Sequence, residues 1–195
     1  MLKVATWNLE NLFLPGEAGG PSDQTAFEAK LTALAETINE VDPDVLAVQE
    51  VGNPAALDEL RGRLQGGFNV ELSPDPDGRG IRVGFLSPHA MQGVERVRAF
   101  PVGSDPVRVE DDGTTTMQMG RGALRVRVTV GGTEVELLTC HLKSKLLRFP
   151  GGFQPHDEGE RARYAGYALA LRAAEAITLR ADAPTGSMAT ARSAR

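Results

Sequence analysis

The order of secondary-structure patterns in the first 64 residues constrains the fold of this chain more than any other feature. Residues 2–7 alternate like a strand, and residues 23–41 carry an apolar stripe with helical spacing. The apolar run Val45–Val48 is typical of a strand that is buried on both faces. Asn and Pro at residues 53–54 then supply the cap and the first position of a second helix. Strand, helix, strand and helix in this order predict an α/β fold.

The middle of the chain has patterns that are typical of antiparallel hairpins. The segments "FNVELS" and "IRVGFLS" flank the turn-forming residues "PDPDGRG". Further on, "ALRVRVTV" leads through Gly131 and Gly132 into "TEVELLTCHL". The complete pattern therefore predicts a mixed α/β protein, in which largely antiparallel strands follow the first strand–helix units.

A long helix is predicted near the end of the chain, from about residue 158 to residue 180. The residues expected to face inward follow helical spacing: Tyr164, Tyr167, Leu171, Ala174 and Ile177. After this helix the sequence changes to small and polar residues interrupted by Pro and Gly. This composition indicates that residues 181–195 form a disordered tail.

Net charge and cysteine content narrow the functional classes. The formal net charge is −5 and the pI is near 5.3, which argues against a protein that coats nucleic acid non-specifically. Cys140 is the only cysteine, so an internal disulfide is excluded. No apolar run is long enough for a membrane span, and the N-terminus lacks the layout of a signal peptide. These features predict a cytoplasmic protein with no membrane partner.

Polar residues with catalytic potential stand at the ends of three apolar strands. Asn8 and Glu10 end the first strand, Glu50 ends the second, and His141 follows the strand "VELLTC". In open α/β sheets, ligands bind at the carboxyl ends of the strands. We therefore expect these four side chains to converge on one cleft if the three strands are neighbours.

The chemistry of these residue types indicates a metal-dependent reaction on phosphate. Two carboxylates beside an amide suit a hard cation such as Mg²⁺ or Mn²⁺, which prefers oxygen ligands. A histidine followed closely by the cationic run at residues 143–145 can donate hydrogen bonds to a phosphate group. A metal, a histidine and cationic donors together favour hydrolysis of a phosphoester.

Each of these residues also has a local structural interpretation. Asn8 can satisfy the backbone of a turn, Glu10 can be an exposed loop carboxylate, and Glu50 can pair locally. His141 can be a half-buried histidine without a catalytic role. A glycosidase that uses Glu10 and Glu50 as its carboxylate pair is a further alternative, but it leaves His141 unexplained.

Four segments together resemble a known family. "TWNLENLF", "DPDVLAVQEV", "RVGFLS" and "HLKSK", in this order and at these spacings, are similar to the endonuclease/exonuclease/phosphatase superfamily of deoxyribonuclease-like phosphoesterases. The resemblance covers about residues 2–180, and we interpret residues 1–180 as one incomplete domain. It implies a four-layer α/β sandwich, with two mixed sheets packed face to face and helices outside.

The resemblance also implies roles for the residues at the strand ends. Glu50 would be the principal Mg²⁺ ligand, and Glu10 would stand at the position of an additional acidic ligand. His141 would hydrogen-bond the scissile phosphate and stabilise its pentavalent transition state. Asn8 would orient the phosphate or a metal-bound group.

Two cationic residues match the family more loosely. Lys143 and Arg161 would assist binding of the phosphate. The implied activity is metal-assisted attack of water on a phosphodiester or phosphomonoester, with a nucleic acid among the possible substrates.

The sequence departs from the family in its last part. The family has a Gly-Asp-x-Asn segment after the long helix and an Asp-His pair near its C-terminus, and these orient the nucleophile. Here no Asn follows Asn69, no His follows His156, and Asp182 is the only Asp after Asp157. We therefore predict a truncated member that lacks the general base and the last strands.

This departure would leave one edge of a sheet without its neighbouring strands. A partner chain would be expected to cover the incomplete sheet edge. The alternative to a truncated enzyme is a non-catalytic fragment or an interaction module that binds phosphate.

Overall fold

The structure is a computed structural model that describes residues 1–144, 147, 149, 152 and 154–183. Its helices and strands are numbered in chain order. They are β1 (Val4–Leu12), α1 (Gln24–Val41), β2 (Val45–Val51), α2 (Pro54–Arg61), β3 (Asn69–Leu72), β4 (Arg82–Ser87), β5 (Met91–Ala99), β6 (Val107–Arg108), β7 (Thr115–Thr116), β8 (Gln118–Val130), β9 (Thr133–Thr139) and α3 (Glu158–Asp182). The described residues divide into two units. The first comprises Met1–Arg96 and Arg121–His141, and the second comprises Val97–Gly120 and the described residues from Leu142 onward.

Both helices of the first unit begin at a side-chain cap, and the cap at Asn53 was predicted from the sequence. The Asp23 carboxylate accepts a hydrogen bond of 2.8 Å from the Ala26 N–H at the start of α1. The Asn53 side chain accepts one of 2.8 Å from the Ala55 N–H, directly before α2. Each cap satisfies a backbone donor that has no partner inside its helix. The two helices are therefore confirmed.

A four-stranded mixed sheet lies at the centre of the first unit. Its strand order is β1-β2-β4-β3, with β1 and β2 parallel and the remaining pairs antiparallel. Helix α1 is the crossover that parallel pairing of β1 with β2 requires. A mixed sheet with helical crossovers confirms the mixed α/β fold class.

Strand β2 is buried on both faces, as its continuous apolar run predicts. One face of the sheet packs against α1 and α2, with Leu46 and Val48 among the buried residues. The opposite face, which includes Val45 and Ala47, packs against Leu124, Val126 and Val128 of β8. The two sheets are thus packed face to face in this unit, with helices on the outer face of the first sheet.

The second sheet has the strand order β5-β8-β9 and contains the predicted Gly-Gly hairpin. Val130 of β8 pairs with Thr133 of β9, so Gly131 and Gly132 alone form the connection. Their φ angles are 56° and 81°, which glycine adopts without steric cost and which two-residue hairpin turns require. This hairpin and the β3–β4 pair are confirmed.

The second unit contains α3, which packs against β6. Its buried face differs from the one predicted, because Ile177 is 60% exposed and Glu175 is 1% exposed. The Glu175 carboxylate accepts hydrogen bonds from the N–H groups of Gly120, at 2.9 Å, and Lys143, at 2.5 Å. These bonds offset the cost of burying a charge, so the carboxylate rather than the isoleucine faces inward. The inward orientation of Ile177 is therefore wrong, whereas that of Tyr164 is correct.

The end of the chain is only partly described. Helix α3 continues to Asp182, two residues beyond its expected end. Residues 184–195 of the predicted disordered tail lie outside the described residues. The domain boundary at residue 180 stays a prediction. No helix in the described part combines the length and the apolar composition needed to cross a membrane.

Candidate active site

Strands β1 and β2 are both irregular where the predicted site residues stand. The β1–β2 ladder is interrupted between Asn8 and Leu12, and the β2–β4 ladder shifts its register around Glu50. The φ angles of Glu10, Asn11 and Glu50 are 51°, 58° and 61°, a left-handed conformation that is uncommon for residues other than glycine. Bulges of this kind redirect side chains and are frequent beside active sites.

The Glu50 carboxylate is held between the bulge of β1 and the end of β9. Its Oε2 accepts a hydrogen bond of 3.0 Å from the Asn11 N–H, and its Oε1 lies 3.7 Å from Nε2 of His141. Both the Glu50 and the His141 side chains are 18% exposed. The structure therefore brings together two of the predicted residues, which are 91 positions apart in the sequence.

Asn8 and Glu10 lie on the bulge itself. Oδ1 of Asn8 accepts a hydrogen bond of 2.9 Å from the Glu10 N–H. This side chain therefore satisfies the backbone of a turn, which agrees with its local structural interpretation. Both residues are exposed. Glu10 directly precedes Asn11, whose N–H holds the Glu50 carboxylate. The chemical roles of Asn8 and Glu10 stay predictions.

His141 lies in a partly buried environment with charged side chains of both signs around it. Burial lowers the pKa of its imidazole below the ordinary 6.5, and Arg121 and Arg79 lower it further, whereas Glu50 and Asp77 oppose the shift. The imidazole is therefore mainly neutral at pH 7. Its Nδ1 is buried and makes no hydrogen bond within the part of the chain that the structure describes.

A buried ion pair supports the backbone of His141. Nε and Nη2 of Arg121 both lie 2.9 Å from Oδ2 of Asp77, and Nη1 donates a bond of 3.3 Å to the His141 carbonyl. The Arg121 and Asp77 side chains are 11% and 10% exposed. Oδ1 of Asp77 accepts from the N–H groups of Arg79 and Ile81 and so shapes the turn before β4.

The sequence pattern did not predict this ion pair. The sequence indicates only that Asp77 lies in a turn segment. No local pattern shows that it pairs with Arg121, which is 44 positions away.

Gln49 joins β1, β2 and β9 directly before Glu50. Its Nε2 donates hydrogen bonds of 3.1 Å to the hydroxyl oxygens of Thr6 and Thr139. Thr139 is 4% exposed and stands two residues before His141. This bridge links the strand ends that carry Glu50 and His141, which the sequence analysis expected to be neighbours.

Lys30 of α1 is a further residue that the sequence analysis missed. Its Nζ donates a hydrogen bond of 2.5 Å to the Glu10 carbonyl. A signal for it was present, because the first turns of a crossover helix lie near the carboxyl ends of the strands that it joins.

The two residues predicted to assist phosphate binding belong to the second unit. The Lys143 N–H donates to Glu175, its carbonyl accepts a bond of 2.8 Å from Arg172, and its Nζ donates to the Ser144 carbonyl at 3.1 Å. Arg161 lies on the first turn of α3 with its Nε 3.5 Å from Oε1 of Glu158. Their roles stay predictions.

Carboxylate oxygens are the candidate metal donors of the first unit. Within the described ranges, no group of three or more His, Cys, Asp or Glu side chains is arranged to hold a metal ion. The predicted ligands Glu50 and Glu10 would therefore provide at most two side-chain carboxylates to a cation, and these roles stay predictions.

Several solved structures are similar to this chain over part of their length. An endonuclease/exonuclease/phosphatase family protein from Leptotrichia buccalis C-1013-b is 16% identical, with 73% of this chain and 54% of that chain covered and a TM-score of 0.47. D. rerio TDP2, in a complex with single strand DNA product, is 23% identical, with 73% and 46% covered and a TM-score of 0.49. The mannosyl-6-phosphatase Bt3783 of Bacteroides thetaiotaomicron VPI-5482 is 17% identical, with 71% and 49% covered and a TM-score of 0.45. The chain spans about half the length of these structures.

One family of proteins matches nearly the whole chain. No curated protein sequence matches it significantly. By contrast, the sequence model of the Endonuclease/Exonuclease/phosphatase family matches residues 5–185. This range includes β2, β9, all of β1 except Val4, and every residue of the candidate site. The chain therefore belongs to the Endonuclease/Exonuclease/phosphatase family, whose enzymes hydrolyse phosphoester bonds.

Proposed function

We propose that this chain contributes the metal-binding and phosphate-binding part of a phosphoesterase site. In this proposal Glu50 is the principal ligand of Mg²⁺ or Mn²⁺, and Glu10 is an additional acidic ligand. The observation that supports it most is the placement of the Glu50 carboxylate, held at 3.0 Å by the Asn11 N–H and facing His141 at 3.7 Å. A carboxylate restrained at a bulge is pre-organised for a ligand.

The donor chemistry of the site fits a hard divalent cation. Mg²⁺ is commonly held by one or two carboxylates, waters and substrate phosphate oxygens rather than by an all-protein cage. Glu50, which is 18% exposed, together with exposed Glu10 matches that arrangement. When bound, the cation would polarise the phosphoryl oxygen and lower the pKa of water.

His141 and Asn8 are proposed to act on the phosphate. A neutral imidazole can donate one hydrogen bond, and burial keeps the pKa of His141 low enough for the neutral form at pH 7. The Asn8 oxygen holds the Glu10 N–H, so its amide nitrogen is the group proposed to orient the phosphate. Lys143 and Arg161 are proposed to add positive charge to phosphate binding.

The group that accepts the proton of the attacking water is not among these residues. The printed sequence contains neither the Gly-Asp-x-Asn segment nor the Asp-His pair that the resemblance assigns to this task. Loss of a general base commonly lowers a rate by ~10²–10⁴-fold. We therefore propose weak hydrolysis by this chain, and the same observation favours a phosphate-binding module as the second candidate function.

The substrate and the partners are part of the proposal. A phosphodiester or phosphomonoester fits the site, and a nucleic acid is the macromolecular substrate that the family name favours. Strand β1 is at the edge of its sheet within the described chain, and we propose that a partner chain covers this edge. A cytoplasmic location completes the proposal.

Hydrolysis assays test the enzyme function. Purified chain should hydrolyse bis(p-nitrophenyl) phosphate or p-nitrophenyl phosphate slowly with Mg²⁺ and not with EDTA, and Glu50→Gln should abolish the activity. Glu59→Gln, at an exposed position of α2, is the matched control and should leave the activity unchanged. Activity that persists in Glu50→Gln would overturn the site assignment.

Binding assays separate the two candidate functions. Mg²⁺-dependent binding of inorganic phosphate without detectable hydrolysis would favour the phosphate-binding module. Rapid, Glu50-dependent hydrolysis would instead contradict the proposal that the general base is missing.

A further inference from the structure

Lys30 lies beside the backbone of the bulge that carries Glu10 and holds the Glu50 carboxylate. Its Nζ donates a hydrogen bond of 2.5 Å to the Glu10 carbonyl. Burial lowers the pKa of this amine, while Glu10 and Glu50 both favour its charged form. The ammonium group, in a partly buried position of α1, bonds to the same peptide group that holds the Glu50 carboxylate, and its charge is attracted by Glu10 and Glu50.

The hydrogen bond of Lys30 acts on one particular peptide group. The Glu10 carbonyl that accepts from Lys30 and the Asn11 N–H that donates to Glu50 belong to the same peptide. This peptide lies in the bulge where β1 leaves its ladder with β2, and the residues on both sides of it have positive φ. In a regular strand, the carbonyl and the N–H of this peptide would bond to a neighbouring strand. Here Lys30 and Glu50 satisfy them instead.

The same geometry places Lys30 in competition with a divalent cation. Without metal, the lysine charge is attracted by the carboxylates of Glu10 and Glu50. With metal, the ammonium group and the cation are like charges close to the same two carboxylates. A cation at these carboxylates must therefore bind against the charge of Lys30.

We propose that Lys30 is the resident counter-cation of the Glu10–Glu50 pair, which holds the bulge in the metal-free protein and weakens the binding of a divalent cation. This inference rests on the proposed function, because it requires that these carboxylates bind the metal. Lys30 is therefore a positioning residue that also lowers the affinity of the site for a divalent cation.

Two substitutions separate the charge of Lys30 from its bulk. Lys30→Met keeps a long, flexible, helix-compatible side chain and removes the charge and the donor. Lys30→Arg keeps both. Lys3→Met is the matched control, because Lys3 also donates to a backbone carbonyl, that of Val41 at 3.1 Å, and its removal changes the net charge equally. That contact lies at the C-terminal end of α1, away from the bulge.

Calorimetric titration of the full chain with Mg²⁺ tests the inference without an activity assay. Lys30→Met should bind Mg²⁺ about three- to tenfold more tightly than the unmodified chain, as expected for removal of one nearby like charge in partly screened surroundings. Lys30→Arg and Lys3→Met should bind within about twofold of the unmodified chain. In EDTA, the melting temperature of Lys30→Met should be lower than that of Lys30→Arg, because the bulge has lost its counter-cation.

The outcomes distinguish this inference from the proposed function. If the unmodified chain binds Mg²⁺ and Lys30→Met binds it equally or more weakly, the inference about Lys30 is wrong and the metal site stands. If Lys30→Arg behaves like Lys30→Met, the charge is not responsible and the inference is again wrong. If neither the unmodified chain nor any variant binds Mg²⁺, the metal site and the inference are both overturned.

Discussion

Nε2 of His141 lies 3.7 Å from Oε1 of Glu50, and both side chains are largely buried at the ends of their strands. Such proximity puts a proposed metal ligand and a proposed phosphate donor next to each other. It arises because β2 lies in the first sheet, β9 lies in the second, and the two sheets pack face to face. The Gln49 bridge to Thr139 reinforces this neighbourhood.

Substitution of His141 should separate phosphate chemistry from metal binding. We expect His141→Ala to lower Mg²⁺-dependent hydrolysis by about 10²–10³-fold, the usual effect of removing one donor to developing charge. Mg²⁺ affinity should change by less than about twofold, because the imidazole is not an oxygen ligand. Steady-state kinetics and calorimetric titration measure the two quantities.

His89→Ala is the matched control for this prediction. His89 lies 3.2 Å from Asp44 and stands outside the candidate site. Its substitution should leave hydrolysis unchanged. A loss of Mg²⁺ binding in His141→Ala as large as the loss of activity would contradict the assigned role.

The Asp77–Arg121 ion pair should make stability depend on pH. Burial opposes ionisation of Asp77, but the N–H groups of Arg79 and Ile81 together with Arg121 outweigh it and hold the pKa below the ordinary 3.8. The stabilisation is therefore fully present above the ordinary pKa and is lost as the pH falls through the lower pKa of the folded state. We expect Asp77→Asn to lower the free energy of unfolding by about 2–4 kcal/mol at pH 7.

Denaturation by urea across pH 7 to 2 checks this prediction. The difference between Asp77→Asn and the unmodified chain should shrink as the pH falls below about 4, because Asp77 then becomes neutral in the unmodified chain as well. Asp58→Asn serves for comparison, since its pair with Arg61 is exposed and should contribute less than about 1 kcal/mol. A difference that is independent of pH would exclude ionisation of Asp77 as its cause.

Features that depend on neighbouring residues could be predicted from the sequence. The caps at Asp23 and Asn53, and the hairpin at Gly131 and Gly132, involve residues at most three positions apart. The proximity of Glu50 and His141 was also predictable, because polar ends of apolar strands meet wherever those strands are neighbours.

Features that depend on distant partners could not be predicted in this way. The ion pair of Asp77 with Arg121 joins residues 44 positions apart, and Lys30 meets Glu10 across 20 positions. The buried face of α3 was mispredicted at Ile177 for the same reason. A hydrophobic pattern cannot show that distant N–H groups stabilise a buried carboxylate.

Removal of the Gln49 side chain should loosen the strands that carry the site. Gln49→Ala loses two hydrogen bonds and leaves the buried Thr139 hydroxyl without this donor, so the free energy of unfolding should fall by about 1–2 kcal/mol. Chemical denaturation measures the change. Gln65→Ala, at an exposed position, should change it by less than about 0.5 kcal/mol. Equal effects of the two substitutions would show that the bridge contributes nothing specific.

A methyl group at Gly52 should disturb the end of β2 directly after the candidate site. A Cβ there would overlap the ring of Phe13, which is 7% exposed and has little room to move, and the Gly52 N–H donates to the Leu12 carbonyl at 3.0 Å. We expect Gly52→Ala to lower the free energy of unfolding by about 1–3 kcal/mol, as overpacking of a core does.

The control for Gly52→Ala is Gly78→Ala, because a Cβ at Gly78 meets no atom within 4 Å and its φ angle lies outside the positive region. That variant should be neutral or slightly stabilised, since alanine restricts the unfolded chain. Thermal denaturation compares the two. Because Gly52 follows Glu50 by two positions, the displaced backbone should also weaken Mg²⁺ binding in Gly52→Ala. A variant that is destabilised and yet binds Mg²⁺ like the unmodified chain would show that the Glu50 bulge is held from the β1 side alone, through Asn11.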